Sequence, residues 1–244
     1  MFHLVFLRAL VAKGDDKGLI ALKGGCNLRF YFSSVRYSED IDFDVVVLAK
    51  ETLKNKVDRL LRSPLVLAPL KTRGVEVVDT STPKQTDTTQ RWKAGLRVSG
   101  LDVPIRTKIE FSRRDAFDGA AFEATHREVL RPYGLTPILA THYTTHAAIT
   151  QKIHALAGRT EPQARDVFDL GHLLAQPDAE GLLLSDRQRL WIPGAMERAI
   201  GISFDEYVAK VVAYLDADQA DLFRDRSAWD AMQEAVVSRL ESLA

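Results

Sequence analysis

The segment LKGGCNLRFYFSSVRYSEDIDFD, residues 22–44, places two adjacent glycines, Gly24 and Gly25, fewer than twenty residues ahead of Asp40, Asp42 and Asp44. Residues two apart on a strand share a face, so the three carboxylates line one side of IDFDVVVL while Ile41, Phe43 and Val45 line the other. Neighbouring carboxylates on that face sit roughly 6.5–7 Å apart at their Cα atoms, from a rise of about 3.3 Å per residue, and can converge on one divalent cation or an adjacent pair. Without a cation, like charges so placed repel and raise one another's pKa. A lone Asp-x-Asp is also the ordinary solvent face of an edge strand, and glycines between strand and helix are routine turn chemistry. Together the two features describe a notch where missing side chains let a phosphate reach helix N-terminal N–H groups, facing a carboxylate clamp.

Further along, Ile149, Ile153 and Leu156 keep helical spacing, and Lys152 falls within the same apolar stripe. A lysine there needs an anion or a route to water, so phosphate binding and snorkelling are both open. Asp166 shares a helical face with Asp169, Leu170 and Leu173, so at least one acid points inward. A Lys152–Asp166 bridge satisfies both groups and could be purely structural. Glu110, in RTKIEFS, shares a strand face with Lys108 and Arg106; it is a candidate third metal carboxylate or an ordinary partner of those cations. Arg29, Arg36, Arg113 and Arg114 have the guanidinium fork that matches phosphate oxygens. Ser38 could contact a phosphate or be a loop hydroxyl. Trp92 and Tyr133 could stack on bases, although lone aromatics more often belong to a core. His142 and His146, in HYTTH, lack the glutamate of a zinc-protease helix, and Cys26, with no histidine near it in sequence, reads as a small buried thiol.

Lys23-Gly24-Gly25, Arg36 and Ser38-Glu39-Asp40-Ile41-Asp42 resemble the leading motif of the nucleotidyltransferase family of AbiEii/AbiGii-type toxins, which includes the MenT enzymes. The family's later lysine and its Arg-Asp pair are matched by QKIHALAGR, with Lys152, and RDVFDL, with Arg165 and Asp166, so the likeness runs from about residue 18 to 176. The segment THYTTHAAITQ departs from the acidic, leucine-rich helix start of the family. The resemblance implies an α+β fold of the polymerase-β-like type, a mixed sheet with helices followed by a helical C-terminal region. It implies transfer of a nucleoside monophosphate from an NTP to an acceptor hydroxyl, with Asp40, Asp42 and Glu110 holding Mg²⁺, or Mn²⁺ in its place. Gly24, Gly25, Arg36, Ser38 and Lys152 bind the nucleotide in this reading, and Asp40, Asp42, Lys152 and Asp166 are catalytic. The implied acceptor is the 3′ end of tRNA, and the implied setting is a type IV toxin–antitoxin or phage-defence pair with a separate antitoxin. A protein or small-molecule acceptor, or a nucleotide- or partner-binding protein that has lost catalysis, are the alternatives.

The elements that must position these residues follow from periodicity. Residues 2–13 read as a first amphipathic helix, 14–18 as a turn, LIALKG as a buried strand, and 51–62 as a helix ending before Pro64. VEVVDTS, QRWKAGLRVS and VPIRTKIEFS alternate as strands with one wet face. From about Thr141 the periods turn helical. The expected division is a sheet domain over 1–135 and a helical domain over 136–244 that contributes Lys152 and Asp166. With 46% hydrophobic and 27% charged residues, the 244-residue chain has an ordinary globular composition. Its balanced charge hides a gradient of +3, +5 and −8 over residues 1–70, 71–160 and 161–244, which agrees weakly with a polyanion partner for the middle third. One cysteine excludes an internal disulfide framework and fits a reducing compartment, hence a cytoplasmic expectation. No apolar run is long enough to span a bilayer.

Overall fold

In the computed structural model, which describes residues 1–14 and 17–244, Phe2–Val11 forms α1, Ile20–Lys23 β1, Gly24–Phe32 α2 and Asp40–Val45 β2. Asp15 and Asp16 of the expected turn lie outside the described residues. Lys50–Leu61 and Pro64–Lys71 follow as α3 and α4, the proline standing at the start of the second helix, where its missing N–H costs nothing. Val75–Gln85, Thr89–Val98 and Ile105–Arg113 are β3, β4 and β5; Ala120–Ala124 is β6, Arg127–Leu130 the short α5, and Leu139–Tyr143 β7. Then come Thr145–Gly158 (α6), Ala164–Leu174 (α7), Asp186–Arg189 (α8), Ile192–Ile200 (α9), Phe204–Lys210 (α10), Ala217–Phe223 (α11) and Arg226–Glu241 (α12). Among the described residues no helix is long and apolar enough to cross a membrane.

The chain forms two compact units, residues 1–31 with 38–143 and residues 32–37 with 144–244. The first is built on a seven-stranded mixed sheet in the order β3-β4-β5-β2-β1-β7-β6. β2 and β5 run parallel, as do β1 and β7, and the other neighbours are antiparallel. Strand alternation decides its two faces. Ile41, Phe43, Trp92, Ile109 and Phe111 are buried on one side, with the Phe43 and Phe111 rings stacked at 4.8 Å and Trp92 edge-on to Phe111 at 5.8 Å. α1 belongs to this core through Leu4, Phe6, Leu7 and Leu10. Asp40, Asp42, Lys108, Glu110, Arg91 and Lys93 stand on the opposite, wetter face at matching register.

The sheet extends past residue 135, because 139–143 is strand and not the start of the helical run. LATHY pairs antiparallel with β6 and lies parallel to β1, with Leu22 opposite His142. His142 is buried there, stacked on Tyr31 at 3.6 Å and 3.0 Å from Asn27 Oδ1 through Nδ1. Helical structure starts at Thr145. The second unit packs α6, α7, α9 and α12 around Ile149, Ile153, Val167, Leu170, Ala195 and Val236, with Tyr207 stacked on Trp229 at 4.3 Å.

Candidate active site

Asp42 is the centre of the acidic strand. Its neighbours at the same register are Glu110 on β5 and Lys23 on β1, while Asp40 faces Lys108 on β5. Most of these carboxylates already hold a cation. Asp40 pairs with Lys108 at 2.8 Å, Glu110 with Arg91 at 2.6 Å, and Asp44 with Lys23 at 2.5 Å. Asp44 also accepts the Tyr143 hydroxyl at 2.8 Å and lies 3.4 Å from Arg114 Nε, which makes it a structural acid. Burial, with Asp44 beside it, pushes the Tyr143 phenol up. Asp42 differs: among the described residues its carboxylate has no ion pair or hydrogen bond. Burial raises its pKa, Lys108 and Lys23 oppose that rise, and Asp40 and Glu110 add to it.

The turn into α2 is fitted to this acid. Gly24 sits at φ +69°, a conformation that L side chains rarely adopt, and a Cβ added there would stand 3.2 Å from Asp42 Oδ2. The backbone favours glycine, and an added Cβ would oblige the Asp42 carboxylate to give by a few tenths of an ångström. Gly25 follows inside the first turn of α2. Ser38 donates its hydroxyl to the Asp40 carbonyl at 2.8 Å, so it holds the chain entering β2.

Three hard oxygen donors on adjacent strands suit Mg²⁺ or Ca²⁺ and not a soft metal. Asp40 and Glu110 are turned to their lysine and arginine partners, and among the described residues no group of three or more His, Cys, Asp or Glu side chains is gathered to hold a metal. The donor chemistry fits a divalent cation, with Asp42 as the carboxylate ready to accept one. Lys108 and Arg91 supply the neutralising charge.

The second unit gathers the other sequence candidates. Lys152 Nζ lies 2.9 Å from Asp166 Oδ1 and 2.6 Å from Asp169 Oδ2. Arg36 grips Asp169 with both arms of its fork, Nε at 3.0 Å and Nη2 at 2.8 Å. Arg159 Nε stands 2.8 Å from Asp166 Oδ2, outside hydrogen-bond alignment. Both acids are fully buried. Their i, i+3 spacing on α7 stacks them on one face, and three cations against two acids leave the cluster with a surplus positive charge. Burial works to raise the Asp169 pKa, but Lys152 and Arg36 outweigh it and hold the group at about 2. Burial likewise works against the Lys152 ammonium, yet Asp166 and Asp169 leave its pKa raised.

A profile of the family described as "Nucleotidyl transferase AbiEii toxin, Type IV TA system" matches residues 5–242. The chain belongs to the AbiEii family of nucleotidyltransferase toxins. No curated protein is significantly similar in sequence. Among solved structures, MenT4, a nucleotidyltransferase toxin from Mycobacterium tuberculosis H37Rv, is similar with a TM-score of 0.65 at 16% identity, over 99% of this chain and 82% of that one. JHP933 from Helicobacter pylori is similar with a TM-score of 0.56 at 20% identity, over 98% of this chain and 92% of that one. At these identities the two structures speak for the fold, which for an AbiEii chain is the mixed-sheet α+β arrangement described above.

In this AbiEii protein several sequence candidates have structural duties. Trp92 is buried and donates its indole N–H to Asp58 at 2.7 Å. Arg113 reaches the Leu48 carbonyl and Gln90. His146 lies 3.3 Å from the Glu180 carbonyl. Cys26, buried, has its thiol 3.3 Å from the Asp40 carbonyl and 3.5 Å from His3 Nδ1. That histidine was invisible to sequence inspection, lying 23 positions away. Thr107 donates its one hydroxyl proton to the Glu39 carbonyl, so it accepts from His3 Nε2 at 2.7 Å. His3 is therefore a neutral ring with its proton on Nε2, and burial first, then the charged N-terminus, drops its pKa to about 3. Arg91 and Arg159 were the residues that sequence reasoning left without a role, and Lys108, read as a partner of Glu110, is found on Asp40 instead. Lys108 and Arg91 carry the alternation signal that Glu110 carries, and Asp169 was visible only as a helical neighbour of Asp166.

Proposed function

We propose that this AbiEii nucleotidyltransferase transfers a nucleoside monophosphate from an NTP to an RNA 3′ hydroxyl, most specifically that of tRNA. The reading is supported by one observation above others: Asp42, with no ion pair among the described residues and its pKa raised by burial, stands at the register of Glu110 and beside a turn whose φ of +69° favours glycine. The acceptor oxygen attacks the α-phosphorus, the bond to the β-phosphate bridging oxygen breaks, and pyrophosphate leaves with that electron pair. The hydroxyl proton passes to a neighbouring carboxylate or water.

A bound divalent cation, Mg²⁺ or Mn²⁺, supplies positive charge to the phosphate oxygens. Asp40, Asp42 and Glu110 are the residues to hold it. Gly24 and Gly25 keep side chains away from the N-terminus of α2, where N–H groups donate to phosphate oxygens. Within the second unit Asp166 fixes the Lys152 ammonium at 2.9 Å, and the positive surplus of that cluster suits an anionic phosphate. Arg36 acts indirectly, by holding Asp169 in place. Ser38 holds the strand that carries Asp40. The toxin–antitoxin family further implies an antitoxin partner.

The test is incubation of purified protein with each of four labelled NTPs, total tRNA and a divalent cation, followed by RNase or protease digestion. Label released by RNase, and lost in Asp42→Asn, is the expected result. Label that survives RNase and yields to protease would move the acceptor to a protein hydroxyl. Label on a small molecule would move it there, and undiminished transfer by Asp42→Asn would remove the carboxylate assignment.

A further inference from the structure

On the open face of the sheet, two rows of side chains at matching register run into the carboxylates. One passes Lys84 of β3, Arg91 of β4, Glu110 of β5 and Asp42 of β2, and the other passes Ser81, Lys93, Lys108 and Asp40 in the same strand order. Lys84, Arg91, Lys93 and Lys108 thus form one cationic block over three adjacent strands, about 10 Å from first strand to third. Arg91 and Lys108 are answered by Glu110 and Asp40. Lys84 and Lys93 are exposed and have no ion pair among the described residues.

The block is hard to explain as surface decoration. A lysine on an edge strand discourages sheet-to-sheet pairing, which accounts for Lys84 on the edge strand β3. It does not account for Lys93, whose strand is paired on both sides. Lys93 also stands directly opposite Lys108, and like charges in that position cost stability in a sheet. An anion lying across the face would reverse the cost. No aromatic side chain stands in either row, since Trp92 points into the core, so the face offers charge without base stacking. Such a surface grips a phosphate backbone and is indifferent to sequence.

We propose that Lys84, Lys93, Arg91 and Lys108 form a docking surface for a single-stranded polynucleotide, which runs across β3 and β4 with its end directed toward the Asp40–Asp42 row. This rests on the nucleotidyl-transfer reading and names the surface on which the acceptor lies. The face is narrow, three strands wide, and suits one polynucleotide strand.

The experiment is fluorescence anisotropy of a labelled oligoribonucleotide of uniform sequence, without NTP, from 50 to 200 mM salt, comparing the wild type with Lys84→Gln/Lys93→Gln. Each single-strand phosphate contact contributes a slope of about −0.7 in log K against log salt, so removing two cations flattens the slope by about 1.4. The wild-type advantage should then shrink about sevenfold over that range. A second double variant at exposed cations of the other unit, Arg187→Gln/Lys210→Gln, should leave the slope unchanged. Equal slopes for wild type and Lys84→Gln/Lys93→Gln would overturn the surface even if labelled RNA is still produced. Equal flattening by the second variant would overturn it too, by making the binding unspecific. Poly-glutamate competing as well as the oligoribonucleotide would reassign the face to an acidic protein and likewise overturn it. A flattened slope in a protein that never labels RNA would leave the surface standing and remove the transfer reading instead.

Discussion

Gly24→Ala separates the two demands that the β1–α2 turn makes on one residue. The first is conformational. At φ +69° a left-handed alanine costs about 1–2 kcal/mol, and the stiffer unfolded chain returns about 0.4–1 kcal/mol of it, a net loss of about 1 kcal/mol. The second is positional. The new methyl would stand 3.2 Å from Asp42 Oδ2, and Asp42, whose carboxylate has no ion pair or hydrogen bond among the described residues, gives way at little cost in stability. Its position is what suffers. Since a misplacement of about 1 Å at a reacting centre can cost about a hundredfold in rate, a shift of a few tenths of an ångström should cost roughly tenfold. Gly100 supplies the control, because its φ of +89° carries the conformational penalty with nothing within 4 Å of an added Cβ. Urea denaturation and labelled-NTP transfer on the same preparations decide the matter. Both alanine variants should lose similar stability, and only Gly24→Ala should lose transfer. Transfer by Gly24→Ala at the wild-type rate, or an equal loss in Gly100→Ala, would refute the fit between this glycine and Asp42.

Asp42→Asn should leave the stability of metal-free protein unchanged or higher at pH 7. The folded pKa of Asp42 is raised, so its ionisation works against folding as pH rises above the ordinary 3.8; a lowered denaturation midpoint would contradict this. Asp169→Asn should cost about 3–5 kcal/mol, because Arg36 and Lys152 lose a buried partner, and a loss below 1 kcal/mol in urea denaturation would show the cluster to be slack. For the same residue, a folded pKa of about 2 against 3.8 predicts about 2 kcal/mol of stability that is present above pH 3.8 and lost as pH falls through 2. His3 carries a depressed pKa of about 3 against 6.5, so the unfolded chain takes up the proton first and stability is lost as pH falls below 6.5. The loss attributable to it between pH 7 and pH 5 is about 2 kcal/mol, and a pH-dependence unaltered in His3→Gln would remove this assignment.

Period-two alternation in 40–45 and in 105–113 was enough to place Asp40, Asp42 and Glu110 on one side of a sheet, because a strand leaves no choice about which residues share a face. The Lys152–Asp166 pair was legible for a similar reason: a charged residue on an apolar helical stripe must find an opposite charge, and only a few helices were available to provide one. β7 was not legible. LATHY is short, and its residues carry no alternation strong enough to outweigh the helical period that begins immediately after it. What makes it a strand is its place between β1 and β6, a tertiary fact that no local window contains.

Arg36 shows where motif reading and structure part most instructively. In sequence it stands four residues before Asp40, inside the strongest motif of the chain, and a guanidinium there is naturally assigned to phosphate. Its fork is instead closed on Asp169, 133 residues away, and a bidentate grip on a fully buried carboxylate is too costly to surrender to a passing ligand. The same logic runs in reverse on the sheet. Lys108 and Arg91 are held at 2.8 and 2.6 Å by carboxylates that are themselves part-exposed, so a divalent cation can displace them without stranding a charge in the core. The buried pair is consequently a fixed support within its own unit, while the part-exposed pairs on the sheet are exchangeable.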